Sequence, residues 1–187
     1  TELMAEARES LSGNWGLAIA TFLVYGIIIS IFQVIPTVGP VLVLFIAGPM
    51  LVGISMFSLS LSRGENARLE QIFEGFKNYG TVLGAYLLMV VLILLWMLLL
   101  IIPGIIAAIA YSQTFYILAE DDAISSMDAL KKSKEMMDGY KWKYFCLGLR
   151  FIGWALLCIL TLGIGFLWLS PYIQISYAKF YEDIKTA

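Results

Sequence analysis

Residues 96–122 read WMLLLIIPGIIAAIAYSQTFYILAEDD, and this stretch decides the fold of the chain. Its first part is fully apolar up to the break at Ile102-Pro103-Gly104, and a second apolar segment then runs to three acids. Proline restricts the backbone and glycine frees it, so this pair is typical of a tight turn. The stretch therefore predicts a hairpin of two hydrophobic helices, with its turn on one side of a bilayer and its charged end on the other.

The composition of the whole chain indicates a membrane protein. The 187 residues are 60% hydrophobic and 14% charged, and the mean hydropathy is +0.86. Apolar runs near or above about 18 residues, enough to cross about 30 Å of hydrocarbon, recur along the chain. A formal net charge of −2 points to no nucleic-acid partner. We therefore predict a polytopic integral membrane protein whose first partner is the lipid bilayer.

The alternation of charged and apolar segments predicts an all-α bundle of six transmembrane helices in one membrane domain, residues 1–187. The domain consists of three pseudo-repeats, each an amphipathic interfacial helix followed by a transmembrane hairpin. The repeat units are about 1–62, 63–122 and 123–187. Interfacial helices are expected at about 2–11, 66–78 and 125–138, and spans at about 15–35, 41–62, 81–102, 104–119, 141–160 and 166–181.

Two of the interfacial helices carry specific local signals. In the second, Leu69, Ile72, Phe73 and Phe76 follow helical spacing and predict one apolar face. In the third, Ser125-Ser126-Met127-Asp128 resembles a capping box at a helix N-terminus.

An internal repeat supports the three units. One constant shift superimposes the second unit on the third without a gap: Tyr79 on Tyr140, Gly104 on Gly165, Tyr111 on Tyr172, Gln113 on Gln174, Tyr116 on Tyr177 and Asp122 on Asp183. The first unit fits less tightly, with Trp15 matching Tyr79 and Pro49 matching Pro171.

The charges predict the orientation in the membrane. All 12 Lys and Arg residues lie on or near the side that holds both termini and the interfacial helices, which we call the charged face. The opposite side, the turn face, carries none. By the positive-inside bias the charged face is cytoplasmic, which predicts a multi-pass protein of a bacterial inner membrane with both termini inside the cell.

Several strings carry a resemblance to a known family: RGE at 63–65 with IFEGF at 72–76, LIIPGI at 100–105 with YILA at 116–119, SKEMMDGYK at 133–141, and LGIG at 162–165 with PY at 171–172. Over nearly its whole length the chain resembles a family of bacterial, mainly Gram-positive, integral membrane proteins catalogued as a domain of unknown function. A fainter similarity, of architecture only, links it to the membrane part of bacterial glycerophosphodiester phosphodiesterases. The resemblance implies no activity.

Polar side chains form one stripe on each of two spans. They are Gln113, Tyr116 and Glu120 on the fourth span, and Gln174, Tyr177 and Tyr181, together with Ser170, on the sixth. In one interpretation they form a polar intramembrane seam that carries a lipid or a small polar substrate. In the other they bond across helices and hold the bundle together.

Arg150 is the one ionisable residue well inside a predicted span, which makes it a candidate buried charge. Counting residues from the turns places it level with Glu120 and near Glu182, so either glutamate is its expected partner. Its long side chain also allows it to extend to the interface instead.

No catalytic constellation is present in the sequence, so we expect no enzyme and no cofactor. Histidine is absent, and no nucleophile has a base at a suitable spacing. The acids Glu120-Asp121-Asp122 are interpreted as a solvated helix end rather than a cation site. Two functions stay open: transport or lipid handling through the seam, and a non-catalytic membrane scaffold or accessory subunit whose interfacial helices dock a cytoplasmic protein. An open seam favours the first, and an apolar patch left exposed on the interfacial elements favours the second.

Overall fold

The computed structural model describes residues 2–35, 38–161 and 163–186, and within them all regular structure is helical. The elements are α1 Glu2–Leu11, α2 Trp15–Gln33, α3 Gly39–Ser62, a 3-10 helix Leu69–Phe76, α4 Tyr79–Leu99, α5 Ile101–Ala110, α6 Thr114–Glu120, α7 Ser126–Met136, α8 Lys141–Leu160 and α9 Phe166–Lys185. Parts of the predicted turns at 36–40 and 161–165 lie outside the described residues.

Five segments among the described residues are long and apolar enough to cross a membrane: α2, α3, α4, Ile101–Glu120 and α8. Several such helices in one chain are compatible with the predicted membrane protein. The 20-residue helix α9 is not among the five. Its second half carries Lys179, Glu182, Asp183 and Lys185, so the sixth span stays a prediction.

The long helices divide into an inner and an outer set. The inner helices are α3, the α5–α6 segment and α9, and the outer helices are α2, α4 and α8. The most apolar 18 residues of each span differ in burial. Of these residues, 56% are buried in α3 and 44% in Ile101–Glu120, against 11% in α2, 11% in α4 and 17% in α8. Helix α9 buries residues from Leu169 to Ile184. The inner helices therefore form the core, and the outer helices surround it.

The predicted second interfacial helix is a shorter 3-10 helix. Ile72 and Gly75 are buried, three residues apart, as expected for a helix of three residues per turn. Phe73 and Phe76, expected on the same face as Ile72, are instead 47% and 36% exposed. The tighter winding follows from close backbone packing on α3: a Cβ at Gly53 would collide with the Ile72 carbonyl, and one at Gly75 with the Pro49 carbonyl.

The other two interfacial helices also pack into the core. On α1, Ala7 and Leu11 are fully buried and cluster with Phe57 of α3 and Ile175 of α9. On α7, Ala129 and Leu130 belong to the central apolar cluster. The Ser125 hydroxyl accepts a hydrogen bond of 3.2 Å from the Asp128 N–H, which confirms the predicted helix cap. All three interfacial elements therefore pack against the long helices at the charged face of the bundle.

Pro49 lies inside α3 and leaves one backbone acceptor without its helical donor. A proline has no N–H, so the carbonyl of Phe45, four residues earlier, loses its usual bond. The Tyr79 O–H at the start of α4 donates to this carbonyl at 3.3 Å. A carbonyl without a hydrogen bond is costly away from water. The Tyr79 contact supplies that bond and joins α4 to α3 at the position where α3 lacks one of its own backbone hydrogen bonds.

Candidate functional site

The two predicted polar stripes meet between α6 and α9. The Tyr116 O–H donates to the Gln174 carbonyl at 3.3 Å, and the rings of Tyr116 and Tyr181 stack with their centroids 5.4 Å apart. The Tyr181 O–H then donates to Glu120 Oε2 at 2.6 Å. Tyr116 and Tyr181 are only 4% and 1% exposed. Their rings fill the space between the helices, so this part of the seam is packed rather than open.

Tyr177 faces a different neighbour. Its ring stacks on Tyr144 of α8 with centroids 4.7 Å apart, and it also lies beside Phe151. This residue therefore joins an inner helix to an outer helix. It belongs to the stripe by spacing, and it packs both against the cluster that contains Tyr116 and Tyr181 and against the cluster that contains Phe151.

Gln113 lies at a break in the fourth predicted span. Helix α5 ends at Ala110 and α6 begins at Thr114, and buried Ser133 of α7 spans the gap between them. The Ser133 hydroxyl donates to the Ala110 carbonyl at 2.9 Å and accepts from the Gln113 N–H at 3.2 Å. One hydroxyl thus satisfies two backbone groups that the break leaves free. The Gln113 side chain is fully buried, and its Oε1 has no partner among the described residues.

The ends of the three inner helices are tied together on the charged face. Arg63, directly after α3, bonds Glu120 at the end of α6 and Glu182 near the end of α9. Its Nη2 lies 2.6 Å from Glu182 Oε1, and Lys185 Nζ lies 2.7 Å from Glu120 Oε1. We call Arg63, Glu120, Tyr181, Glu182 and Lys185 the Arg63 cluster. It closes the charged end of the seam.

The electrostatics of this cluster favour its charged form. Partial burial lowers the pKa of the Arg63 guanidinium, but hydrogen bonds and the charges of Glu120 and Glu182 outweigh this and raise the pKa above its ordinary value. Arg63 therefore stays protonated. The planar guanidinium can bond two carboxylates at once, which a lysine at this position does less well.

Arg150 does not meet either of its predicted partners. Among the described residues it forms no ion pair, because Arg63 and Lys185 already occupy Glu120 and Arg63 bonds Glu182. It is also not the buried charge that its position in the sequence suggested. It lies exposed on outer helix α8 and lines a cleft of about 250 Å³ with Glu2, Glu6, Lys143 and Asp183. Sequence reasoning missed Arg63 because that residue was taken only as the end of a span.

A cavity of about 380 Å³ opens beside the Arg63 cluster, between the end of α3, the 3-10 helix and the end of α6. Its polar lining contains four acids and one cation and comprises Ser60, Arg63, Glu65, Gln71, Glu74, Glu120 and Asp122. The Gln71 amide donates to the Ser60 hydroxyl at 2.9 Å, which fixes one wall. In the part of the chain that the structure describes, no group of three or more metal-ligating side chains could hold an ion.

One family model matches the chain twice, over residues 1–106 and 89–187, and its description is a protein of unknown function, DUF975. The two matches together run the length of the chain, so the chain belongs to the DUF975 family. No curated protein and no solved structure matches it. The resemblance to a family of unknown function is thereby confirmed.

Proposed function

We propose that this member of the DUF975 family is a non-enzymatic membrane scaffold whose charged face docks a basic, partly apolar segment of a cytoplasmic protein. The observation that carries this proposal is the pair Phe73 and Phe76, which stay exposed beside the acidic cavity. Large apolar side chains next to charge of one sign are typical of a protein interaction site.

The 3-10 helix presents these rings on a rigid support. On its opposite side, the buried residues Ile72 and Gly75 pack against α3. Phe76 stacks on Tyr79 with ring centroids 6.3 Å apart. A preorganised surface loses little conformational entropy on binding, which favours affinity.

The charge of the cavity selects the partner. Glu120 is bonded by Arg63 and Lys185, and Glu74 lies 3.6 Å from Lys77. Glu65 and Asp122 form no ion pair within the described ranges, so they are left to receive lysine or arginine side chains. A basic segment with an apolar residue at its centre would complement both features.

The packed seam is the second support for a scaffold. A transport path needs an opening, whereas the rings of Tyr116 and Tyr181 fill the seam and the Arg63 cluster closes its charged end. Hydrogen bonds across helices are the ordinary way in which polar side chains hold a membrane bundle.

The finer architecture belongs to the same proposal. We take α9 as the sixth span and the chain as three repeats, because each interfacial element packs on an inner helix in a cyclic order: α1 on α9, the 3-10 helix on α3, and α7 on α6, with α7 also packing on outer helix α4. The charged face is cytoplasmic in a bacterial inner membrane, which the one-sided Lys and Arg support.

Cysteine accessibility tests this orientation. Single cysteines at Asn66 and Ile164, in a protein with Cys146→Ala and Cys158→Ala, are treated in intact cells with a thiol reagent that does not cross the membrane. We expect Ile164→Cys to react and Asn66→Cys to react only after cells are opened. The reverse pattern would contradict the proposed topology. The equivalent position Thr37 lies outside the described residues.

Site-specific photo-crosslinking in cells tests the docking surface. A photo-reactive amino acid at Phe73 should form a discrete protein adduct, whereas the same residue at Leu95 on outer helix α4 should label lipid. The partner peptide should be rich in Lys and Arg. The double change Glu65→Lys and Asp122→Lys should remove the adduct, and Glu9→Lys at an exposed position of α1 should not. Adducts with lipid alone at Phe73, or insensitivity to charge reversal, would refute the docking surface.

One observation favours transport or lipid handling as a second candidate. The break at residues 111–113, with the unpartnered Gln113 Oε1, resembles the interrupted helices around which transporters build their sites. Gln113→Leu separates the two functions. If the protein is a scaffold, the Gln113→Leu variant should still form the Phe73 adduct and still support cell growth. If it is a transporter, the variant should be made in normal amounts but should no longer support cell growth.

A further inference from the structure

An apolar groove of about 510 Å³ runs along the outside of the bundle between α2 and the start of α9. Its walls come from Phe22, Leu23, Ile27 and Ile31 on α2, and from Phe166 and Leu167 on α9. No ionisable side chain lines it. The groove lies within a membrane span on its α2 side, so its surroundings are the acyl chains of the bilayer rather than water.

The polar groups near the groove do not call for a polar ligand. The Ser30 hydroxyl donates to the Gly26 carbonyl at 2.7 Å, within its own helix. The second hydroxyl, of Ser170, lies at one edge and is half-buried. The surface offered to a ligand is therefore hydrocarbon.

The dimensions of the groove distinguish between possible occupants. From Ile19 to Val34 it extends over about 22 Å at 1.5 Å per residue. A transmembrane helix of that length, about 10 Å across, would need on the order of 1,700 Å³. A single hydrocarbon chain, about 4 Å thick by carbon contact distances, needs on the order of 300 Å³ for about the same 22 Å. The groove can therefore enclose a single hydrocarbon chain, whereas a helix could only lie across its opening.

We propose that this groove is a binding site for one acyl chain of a membrane phospholipid. The bound chain lies along α2 and contacts the first turn of α9, with its end nearest the turn face at Val34 and Phe166. This site is separate from the docking surface on the charged face, and a negative result for either one would not affect the other.

Gly26 gives a direct way to fill the groove. It lines the site, and a Cβ added there meets nothing within 4 Å. Gly26→Phe should therefore place its ring where the chain lies without disturbing the helix packing. Gly153 on outer helix α8 is a matched control, because a Cβ there also meets nothing within 4 Å and the residue does not line the groove.

The experiment uses the purified full chain in vesicles of phosphatidylcholine and phosphatidylglycerol. A trace of phosphatidylcholine carries a photo-reactive diazirine in its acyl chain, and labelled peptides are quantified by mass spectrometry. We expect the peptides of α2 and the start of α9 to be labelled at least threefold more than those of α4 and α8. Gly26→Phe should reduce this excess to the level of the other helices, and Gly153→Phe should leave it unchanged.

Three outcomes would overturn the proposal. Equal labelling of α2, α4 and α8 would show only bulk lipid. Unchanged α2 labelling in Gly26→Phe would show that the chain does not occupy the groove. A dimer that Gly26→Phe dissociates would assign the groove to a second copy of the chain. Melting temperatures of both variants in detergent check the fold, and Gly26→Leu replaces Gly26→Phe if the larger side chain prevents folding.

Discussion

Two pairs of inner and outer helices in this protein have equal hydropathy but differ in exposure. Helices α2 and α3 both have a mean hydropathy of 2.2, yet 11% of the first and 56% of the second is buried. Segment Ile101–Glu120 and α8 both have 1.6, with 44% and 17% buried. Apolar side chains gain little by leaving lipid for protein, so hydropathy does not sort helices within a membrane.

Polar and small residues distinguish the two sets instead. Inner helix α3 buries Ser55, Ser58, Ser60 and Ser62, and Ser60 accepts a hydrogen bond from Gln71 of the 3-10 helix, whereas Ser30 of outer helix α2 is exposed. Glycines behave in the same way: Gly53 contacts the backbone of another element, and Gly153 faces open space. In this bundle, close backbone approach and the burial of small polar residues distinguish the inner helices from the outer ones.

The largest effect is expected where two backbones touch. Gly53→Ala places a methyl group against the Ile72 carbonyl, so the 3-10 helix must move away from α3. We expect a loss of about 3 kcal/mol, seen as a lower melting temperature in detergent. Gly153→Ala on α8 is the control and should melt like the wild type. Equal stability of the two variants would show that the close contact is not needed.

A smaller effect is expected from the buried hydroxyl that spans the break in the inner segment. Ser133→Ala leaves the Ala110 carbonyl and the Gln113 N–H without their partner, which we expect to cost about 2 kcal/mol. Ser30→Ala on outer helix α2 removes an exposed hydroxyl and should cost almost nothing. Amide hydrogen exchange should show faster exchange at Gln113 in Ser133→Ala only. Unchanged protection there would contradict the capping role.

The smallest effect is expected at the charged face. Arg63→Ala removes the link between Glu120 and Glu182, but the side chains are 31%, 17% and 29% exposed, so we expect a loss of about 1 kcal/mol. A double-mutant cycle of Arg63→Ala with Glu120→Gln should show coupling.

Arg150→Ala serves as the control for this cycle. Because Arg150 lies exposed on an outer helix without an ion pair among the described residues, its loss should change stability by less than about 0.5 kcal/mol. If Arg150 showed coupling to Glu120 and Arg63 showed none, Arg150 rather than Arg63 would be the partner of Glu120.

Much of the local structure was predictable from the sequence. The predicted spans at 15–35 and 141–160 correspond to α2 Trp15–Gln33 and α8 Lys141–Leu160, and the cap at Ser125 forms as expected. These features depend on long apolar runs and on contacts within a few residues. The polar stripes stay a prediction from helical spacing: Tyr116 and Tyr181 contact each other, but the helix is interrupted at Gln113.

Three features could not be read from the chain. The winding of the 3-10 helix depends on Gly53 of another element, and the gap between α5 and α6 depends on Ser133 of α7. Glu120 pairs with Arg63 and not with Arg150. Counting residues along the chain predicts how deep a side chain lies in the membrane, but it does not predict which side of its helix faces the other helices.

The sequence by itself determined that this chain forms long apolar helices suited to a membrane, and it gave the bounds of α2 and α8 to within two residues. These properties follow from composition, local spacing and the solvent that the bilayer provides. Only the tertiary structure decided which helices are inner, that tyrosine rings pack the seam, and which arginine closes it. Those outcomes depend on contacts between residues far apart in the chain, and in lipid hydropathy alone does not select among them.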